Sequence, residues 1–315
     1  MRVAVLDDYQ GVALDYADWG PVRERGEITV FRDHLADEDD VAARLAPFDV
    51  VVAMRERTPF PASLLRRLPG LRLLVTTGMR NASIDVAAAR AQGVTVCGTS
   101  GGSAATPELT WGLLLGLARG IAGEQDAVRD GGWQRRVGFE LEGATLGVLG
   151  LGRIGQRVAG YARAFGMDVL AWSQNLTADV AAEHGARYVG KDELFAASDV
   201  VTIHLQLSDR TRGLVGRPEL DRLGPDGYLV NTSRGPIVDE DALVAALREH
   251  RVAGAALDVF DVEPLPAGHP LRTQPNALVT PHIGYVTRGT YANFYGDAVA
   301  GILAWLDGAP ARVLS

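Results

Sequence analysis

TLGVLGLGRIGQRVAGYARAFGMDVLAWS, residues 145–173, decides how this chain folds. An apolar run from Leu146 to Leu149 leads into Gly150, Gly152 and Gly155 at G-x-G-x-x-G spacing. Apolar residues then recur at Ile154, Val158, Tyr161, Ala162 and Phe165, and a second apolar run follows from Val169 to Trp172. The succession reads as a strand, a tight glycine turn, a helix and a second strand. Gly150 permits the turn, Gly152 lets backbone approach a pyrophosphate, and Gly155 lets the helix pack on the strand while its first amides face the phosphates. Glycine-rich turns also occur with no ligand at all. The complete strand, helix and strand favour a dinucleotide site over a bare turn.

Working outward, 315 residues exceed what one hydrophobic core usually holds, which predicts two domains. With 47% hydrophobic and 22% charged residues, the balance is that of an ordinary soluble globular protein. The formal net charge of -8, from 31 basic and 39 acidic residues, gives no electrostatic reason to bind nucleic acid or an anionic membrane. The single cysteine, Cys97, excludes an intrachain disulfide and a cysteine-rich metal centre and suits a reducing compartment, and no metal is expected. RVAVLD enters a strand at once without a stretch of signal type, and no apolar run approaches membrane-spanning length. A cytoplasmic protein is the expectation.

Over residues 1–100, the apolar runs RVAVLD, ITVFRD, DVVVAM, LRLLVTT and VTVC alternate with helical patterns such as DEDDVAARLAPF, PASLLRRLP and SIDVAAARAQG. Such alternation predicts a small parallel sheet covered on both faces. TPELTWGLLLGLAR, residues 106–119, reads as a buried linking helix with Thr106 as its cap, Pro107 in its first turn and Glu108 at the positive end of its dipole. Beyond the central stretch, DVVTIHL, GYLVNTS, AGAALDVF and ALVTPH read as strands of a second, larger parallel sheet, with the helical pattern DEDALVAALREH between two of them. TRGTYANFYGDAVAGILAWLDG carries Tyr291, Phe294, Tyr295, Ala298, Ile302 and Trp305 near helical spacing, a packing face expected to return to the first domain. The predicted domains are residues 1–100 plus 288–315, discontinuous, and residues 101–287.

Ligands of open α/β sheets bind beyond the carboxyl ends of the strands. After DVVVAM come Arg55, Glu56, Arg57 and Thr58, and after LRLLVTT come Gly78, Met79, Arg80, Asn81 and Ala82. In the second half Arg234 follows GYLVNTS, Asp258 and Glu263 lie in LDVFDVEP, and His282 lies in TPHIG. One surface Arg, Glu or His is usually structural. Three of them at consecutive strand ends, on the edge that bears the glycine turn, form an active-site hypothesis.

GLGRIG (150–155), NTSRG (231–235), ALDVFDVEP (256–264) and TPHIG (280–284), in this order and spacing, resemble the D-isomer-specific 2-hydroxyacid dehydrogenases. The likeness is strong from about Gly143 to Gly284 and weaker over the first hundred residues. It implies an α/β architecture of two Rossmann-like domains around a cleft, a flavodoxin-like substrate domain and a doubly wound nucleotide-binding domain, in a protein that is a homodimer. It further implies Arg234, Glu263 and His282 as the catalytic set and Asp258 at the nicotinamide end of the cofactor. Cofactor contacts are implied for Gly150, Gly152, Arg153, Ile154, Gly155, Ser173, Gln174, His204, Thr232 and Gly284, and substrate contacts for Arg55, Gly78, Met79 and Arg80. The implied reaction moves a hydride between a nicotinamide and a small D-2-hydroxy acid or 2-keto acid. Reduction puts negative charge on the carbonyl oxygen, so the site needs a proton donor, for which His282 is suited, and a carboxylate anchor, for which Arg234 is suited. Glu263 on the other ring nitrogen favours imidazolium and fixes the ring.

The departures from the pattern bear on the ligands. Gly78-Met79-Arg80-Asn81-Ala82-Ser83-Ile84-Asp85 stands where the family usually has Gly-x-Gly-x-Asp-Asn-Ile-Asp, so Arg80 replaces a glycine. Arg80 either offers a cation to a second acidic group of the substrate or pairs locally, and both readings stay open. After DVLAW the chain has Ser173, Gln174 and Asn175, with neither the carboxylate that repels a 2′-phosphate nor an Arg that welcomes one. NAD is favoured and NADP stays open. Gln206 replaces a common proline near the cofactor wall. A competing reading, an NAD(H)-sensing interaction module of the corepressor type, is disfavoured by retention of the three catalytic residues and the absence of long basic arms.

Overall fold

A computed structural model of the chain describes residues 1–102 and 104–315. The chain divides into two compact units, Met1–Gly102 with Val286–Ser315, and Ser103–Tyr285. In the first unit β1 (Arg2–Val5), β2 (Glu27–Val30), β3 (Val50–Ala53), β4 (Leu73–Thr76) and β5 (Thr95–Cys97) form a parallel sheet in the order β2-β1-β3-β4-β5. That is the flavodoxin-like order. β3 and β4 are buried at every residue, which is why they read as unbroken apolar runs rather than as alternating ones. The helix Arg288–Leu306, capped by the Thr287 hydroxyl, belongs to this unit and buries Tyr291, Phe294, Tyr295, Ala298 and Ile302, while Trp305 is half-buried.

The second unit holds β6 (Thr145–Leu149), β7 (Asp168–Trp172), β8 (Arg187–Tyr188), β9 (Val200–Ile203), β10 (Tyr228–Asn231), β11 (Gly254–Leu257) and β12 (Ala277–Val279). Its parallel sheet runs β12-β11-β10-β9-β6-β7-β8, the doubly wound order with one strand added beyond the usual six. Alternate residues of the strands feed two cores. Leu146, Val148, Val200 and Val230 pack with Leu113, Leu114 and Leu117 of the helix Ala105–Arg119 and with Val158 and Ala162 of the helix Arg153–Ala164. Leu149, Val201, Ile203 and Leu229 pack on the opposite face with Leu194, Leu220, Leu243 and Leu247. The two-residue β8 is exposed on both residues, so it lacks the apolar run by which a strand is recognised in sequence.

One expectation is corrected. Thr106 does not cap the linking helix: the helix starts at Ala105 with Ala104 at its cap position, and the Thr106 hydroxyl instead donates to the carbonyl oxygen of Gly284 at 3.0 Å. A tertiary acceptor displaces the local capping bond that the sequence pattern suggests. The helix also ends at Gly120, whose φ of 63° suits glycine, and a further helix, Ile121–Arg129, follows at once. Among the described residues no helix is long and apolar enough to cross a membrane.

Candidate active site

Because the seven strands of the second unit are parallel, their carboxyl ends share one edge. Along that edge lie, in order, His282 after β12, Asp258 and Glu263 after β11, Arg234 after β10, His204 after β9, Gly150 after β6 and Ser173 after β7. The strand order reverses between β9 and β6, and there Gly150 meets His204. A Cβ at Gly150, whose φ is 106°, would lie 2.8 Å from the His204 carbonyl carbon and oxygen. Gly155 is equally constrained, since its Cβ would come 2.1 Å from the Gly150 oxygen and push the helix off the strand.

Gly152 differs. Its φ of -83° suits any residue, and an added Cβ meets no protein atom within 4 Å. The fold itself does not require glycine there. Open space before the first turn of a twelve-residue helix is what a closely approaching pyrophosphate needs, so the residues present fit a dinucleotide. Arg153 and Ile154 begin that helix. At the far end Ser173 is half-buried, while Gln174 and Asn175 are exposed. His204 has its Nε2 3.0 Å from the Thr202 hydroxyl, and burial pushes the ring down to about 3, so it is neutral at pH 7.

At the other end His282 Nδ1 lies 2.5 Å from Glu263 Oε2, and Glu263 Oε1 accepts from the Phe260 amide at 3.0 Å. The carboxylate is thus fixed by backbone on one side and orients the ring on the other. Nε2 makes no hydrogen bond within the described residues. With side-chain exposures of 17% and 28%, the pair is sheltered enough to be less screened than a surface pair and still open to a small molecule. The Tyr285 ring stands edge-on to the imidazole at 5.5 Å.

His282 adopts φ 53°, a left-handed conformation that costs a non-glycine residue about 1–3 kcal/mol and persists only where the surroundings over-determine it. Asp258 supplies much of that determination. Its carboxylate accepts from the Thr280 hydroxyl at 2.6 Å, the Ile283 amide at 2.8 Å and the Gly284 amide at 2.7 Å. Burial pushes the Asp258 carboxyl above its ordinary range. The Asp258 side chain has no exposed surface and commits both oxygens to the turn that carries His282.

Arg234 is half-buried, and its Nη1 donates to the Ser233 carbonyl at 2.7 Å. The Asn231 side chain shapes the loop, donating to the Arg234 carbonyl and accepting from the Ser233 amide, both at 3.0 Å. Gly235 has a role that the motif's spelling does not reveal: a Cβ there would lie 2.1 Å from the Phe260 carbonyl carbon. Glycine therefore lets the Arg234 loop lie against the loop that carries Glu263. Thr232, buried, places its hydroxyl 2.7 Å from that of Thr110, and Gly284 donates to Asp258 while accepting from Thr106.

In the first unit, β3 and β4 are neighbours, so Arg55 and the Gly78–Arg80 segment that follow them meet at one edge. Arg55, at φ 52°, donates its amide to the Thr77 hydroxyl at 2.8 Å, and its Nη1 donates to the Thr77 carbonyl at 3.3 Å. A Cβ at Gly78 would lie 2.1 Å from that Nη1, so the guanidinium rests directly on the glycine. Asn81 braces the same corner through the Arg55 carbonyl at 2.6 Å, while Met79 and Arg80 are exposed. Among the described residues no group of His, Cys, Asp and Glu is arranged to hold a metal.

Residues 111–284 match the family model described as D-isomer specific 2-hydroxyacid dehydrogenase, NAD binding domain. A glyoxylate reductase of Aeropyrum pernix is 41% identical over 255 residues, covering 78% of this chain and 76% of the relative. A D-3-phosphoglycerate dehydrogenase of Archaeoglobus fulgidus is 33% identical over 315 residues, 99% of this chain, which spans 58% of that longer relative. Among solved structures, a phosphoglycerate oxidoreductase of Vibrio cholerae superposes with a TM-score of 0.93 at 37% identity, covering 98% of this chain and 100% of the other. With the doubly wound sheet, the glycine turn and the Arg, Glu and His strand ends in place, these matches show that the chain belongs to the D-isomer-specific 2-hydroxyacid dehydrogenases and is a nicotinamide-dependent oxidoreductase.

Proposed function

We propose that the protein interconverts a small 2-keto acid and its D-2-hydroxy acid, with His282 moving the proton and Arg234 gripping the carboxylate and the carbonyl. The observation that carries this reading is the 2.5 Å bond between His282 Nδ1 and Glu263, which leaves Nε2 as the ring's outward nitrogen. In the reducing direction Nε2 gives its proton to the carbonyl oxygen, while Glu263 holds the ring's orientation. Arg234 offers a planar donor array to the carboxylate and to the oxygen on which charge develops. The bound nicotinamide supplies or accepts the hydride. Gly150, Gly152, Arg153, Ile154, Gly155, Ser173, Gln174, His204, Thr232, Asp258 and Gly284 are the cofactor-binding set in this reading. Arg55, Gly78, Met79 and Arg80 are the substrate-binding set, and their two cations favour a substrate with more than one anionic group. The protein is taken to be a cytoplasmic homodimer, and sedimentation of the purified chain measures that state. The decisive test is nicotinamide absorbance with a mixed panel of 2-keto acids, run with NADH and NADPH side by side. Tight cofactor binding with no turnover on any of them would sink the reading.

Glu263→Gln is expected to lower kcat, because the carboxylate that takes the Phe260 amide on one oxygen and His282 Nδ1 on the other fixes the ring's orientation. Steady-state rates of wild type and variant check this, and an unchanged kcat means that the bond does not position the histidine.

At the ribose end, discrimination between NAD and NADP is expected to be modest, with NAD preferred. Ser173→Asp sharpens it towards NAD, because the carboxylate accepts from the ribose hydroxyls and repels a 2′-phosphate. Gln174→Arg does the reverse, since a guanidinium pairs with phosphate. The ratio of kcat/KM for the two cofactors is the measurement. A ratio unmoved by Ser173→Asp places the adenosine ribose elsewhere.

A further inference from the structure

The loops that carry Arg234 and His282 follow β10 and β12, which are not neighbours: β11 lies between them. No strand ladder joins the two loops directly; one link runs through the β11 loop, where Gly235 lies against Phe260 and Glu263 bonds His282, and a second would fix their register. The helix Ala105–Arg119 is placed to give it. Thr106 and Thr110 are four residues apart and so share a side of the helix. Thr106 Oγ1 donates to the Gly284 carbonyl at 3.0 Å. Thr110 Oγ1 gives its one proton to the Thr106 carbonyl at 2.9 Å, which makes Thr232 the donor in the 2.7 Å hydroxyl pair between Thr232 and Thr110. Gly284 is two residues from His282, and Thr232 is two residues from Arg234. The Gly284 peptide is consequently held at both ends, its N–H by Asp258 and its C=O by Thr106.

We infer that Thr106 and Thr110 are positioning residues, which tie the His282 turn and the Arg234 loop to one helix and so keep the proton donor and the carboxylate grip in register. The helix is a firm support, because Trp111, Leu113, Leu114 and Leu117 bury it in the core of the second unit. Left-handed His282 is held in its conformation by such outside bonds. Thr106 matters most for the transferred proton, and Thr110 for the carboxylate. This inference rests on the catalytic reading of His282 and Arg234 given above.

The test compares Thr106→Val, Thr106→Ser and Thr110→Val with wild type, with His282→Ala as the control, in the same reductase assay with thermal melts and cofactor titrations. Valine keeps the shape and removes the hydroxyl, while serine keeps the hydroxyl. Small misplacements of reacting groups cost up to about 100-fold in rate, so Thr106→Val is expected to lower kcat by about 10-fold to 100-fold, a larger effect than any on cofactor affinity. Thr106→Ser recovers most of it, and Thr110→Val raises the keto-acid KM more than it lowers kcat. Should Thr106→Val not fold, Thr106→Ala carries the same expectation in a residue that suits a helix. A purely structural role predicts lower melting temperatures with kcat and KM intact, and that result overturns the inference, as does a Thr106→Ser variant no better than valine. If His282→Ala retains wild-type turnover, the catalytic reading beneath it falls instead.

Discussion

His282→Ala is expected to lower turnover about 100-fold to 10,000-fold, the range commonly contributed by a positioned general acid. The side chain ends in the nitrogen that Glu263 leaves outward, and among the described residues no second imidazole follows β12: His204 follows β9 and is held neutral by burial. The loss should fall on kcat and on kcat/KM alike, because the interaction removed is one made in the transition state. Cofactor affinity should persist, since the glycine turn belongs to β6 and the following helix. His282→Asn is the better-controlled variant. Asn tolerates the left-handed backbone at φ 53° more readily than Ala does, so its defect reports lost chemistry rather than a collapsed turn. Steady-state rates and a fluorescence titration with NADH separate the two effects, and turnover close to wild type in His282→Asn would take this residue out of the mechanism.

Arg234→Ala is expected to cost about 100-fold to 1,000-fold in kcat/KM, the usual consequence of removing a preorganised donor from a developing oxyanion. The keto-acid KM should rise as well, because the same guanidinium is assigned to the carboxylate. Arg234→Lys should recover little, since an ammonium is a point charge without the two-pronged donor geometry. The loop itself should survive the change. Asn231 holds its backbone from both sides, and Gly235 keeps it against the Glu263 loop. A lysine variant as active as wild type would mean that charge alone is needed at this position and that the bidentate grip is wrong.

Residues 145–173 determined by themselves the strand, glycine turn, helix and second strand at the centre of the second sheet: apolar runs, glycine spacing and helical period are local properties, and each is written in adjacent residues. The same holds for the unbroken apolar β3 and β4 and for the aromatic face of the helix Arg288–Leu306. Arg234, Glu263 and His282 were legible as strand-end residues because a parallel sheet brings every carboxyl end to one edge whatever the strand order. The order of those ends was not legible. It depends on which strands pair, a matter of contacts between residues far apart in the chain. Short, exposed β8 escaped for lack of an apolar run. Thr106 was misread because its hydroxyl faces a choice between its own helix end and a carbonyl 178 positions away, and only the folded chain supplies that carbonyl. Asp258 and Gly235 are of the same kind: one is committed to three donors from the β12 turn, the other is glycine because a neighbouring backbone passes where a Cβ would stand, and both facts exist only once β10, β11 and β12 lie side by side.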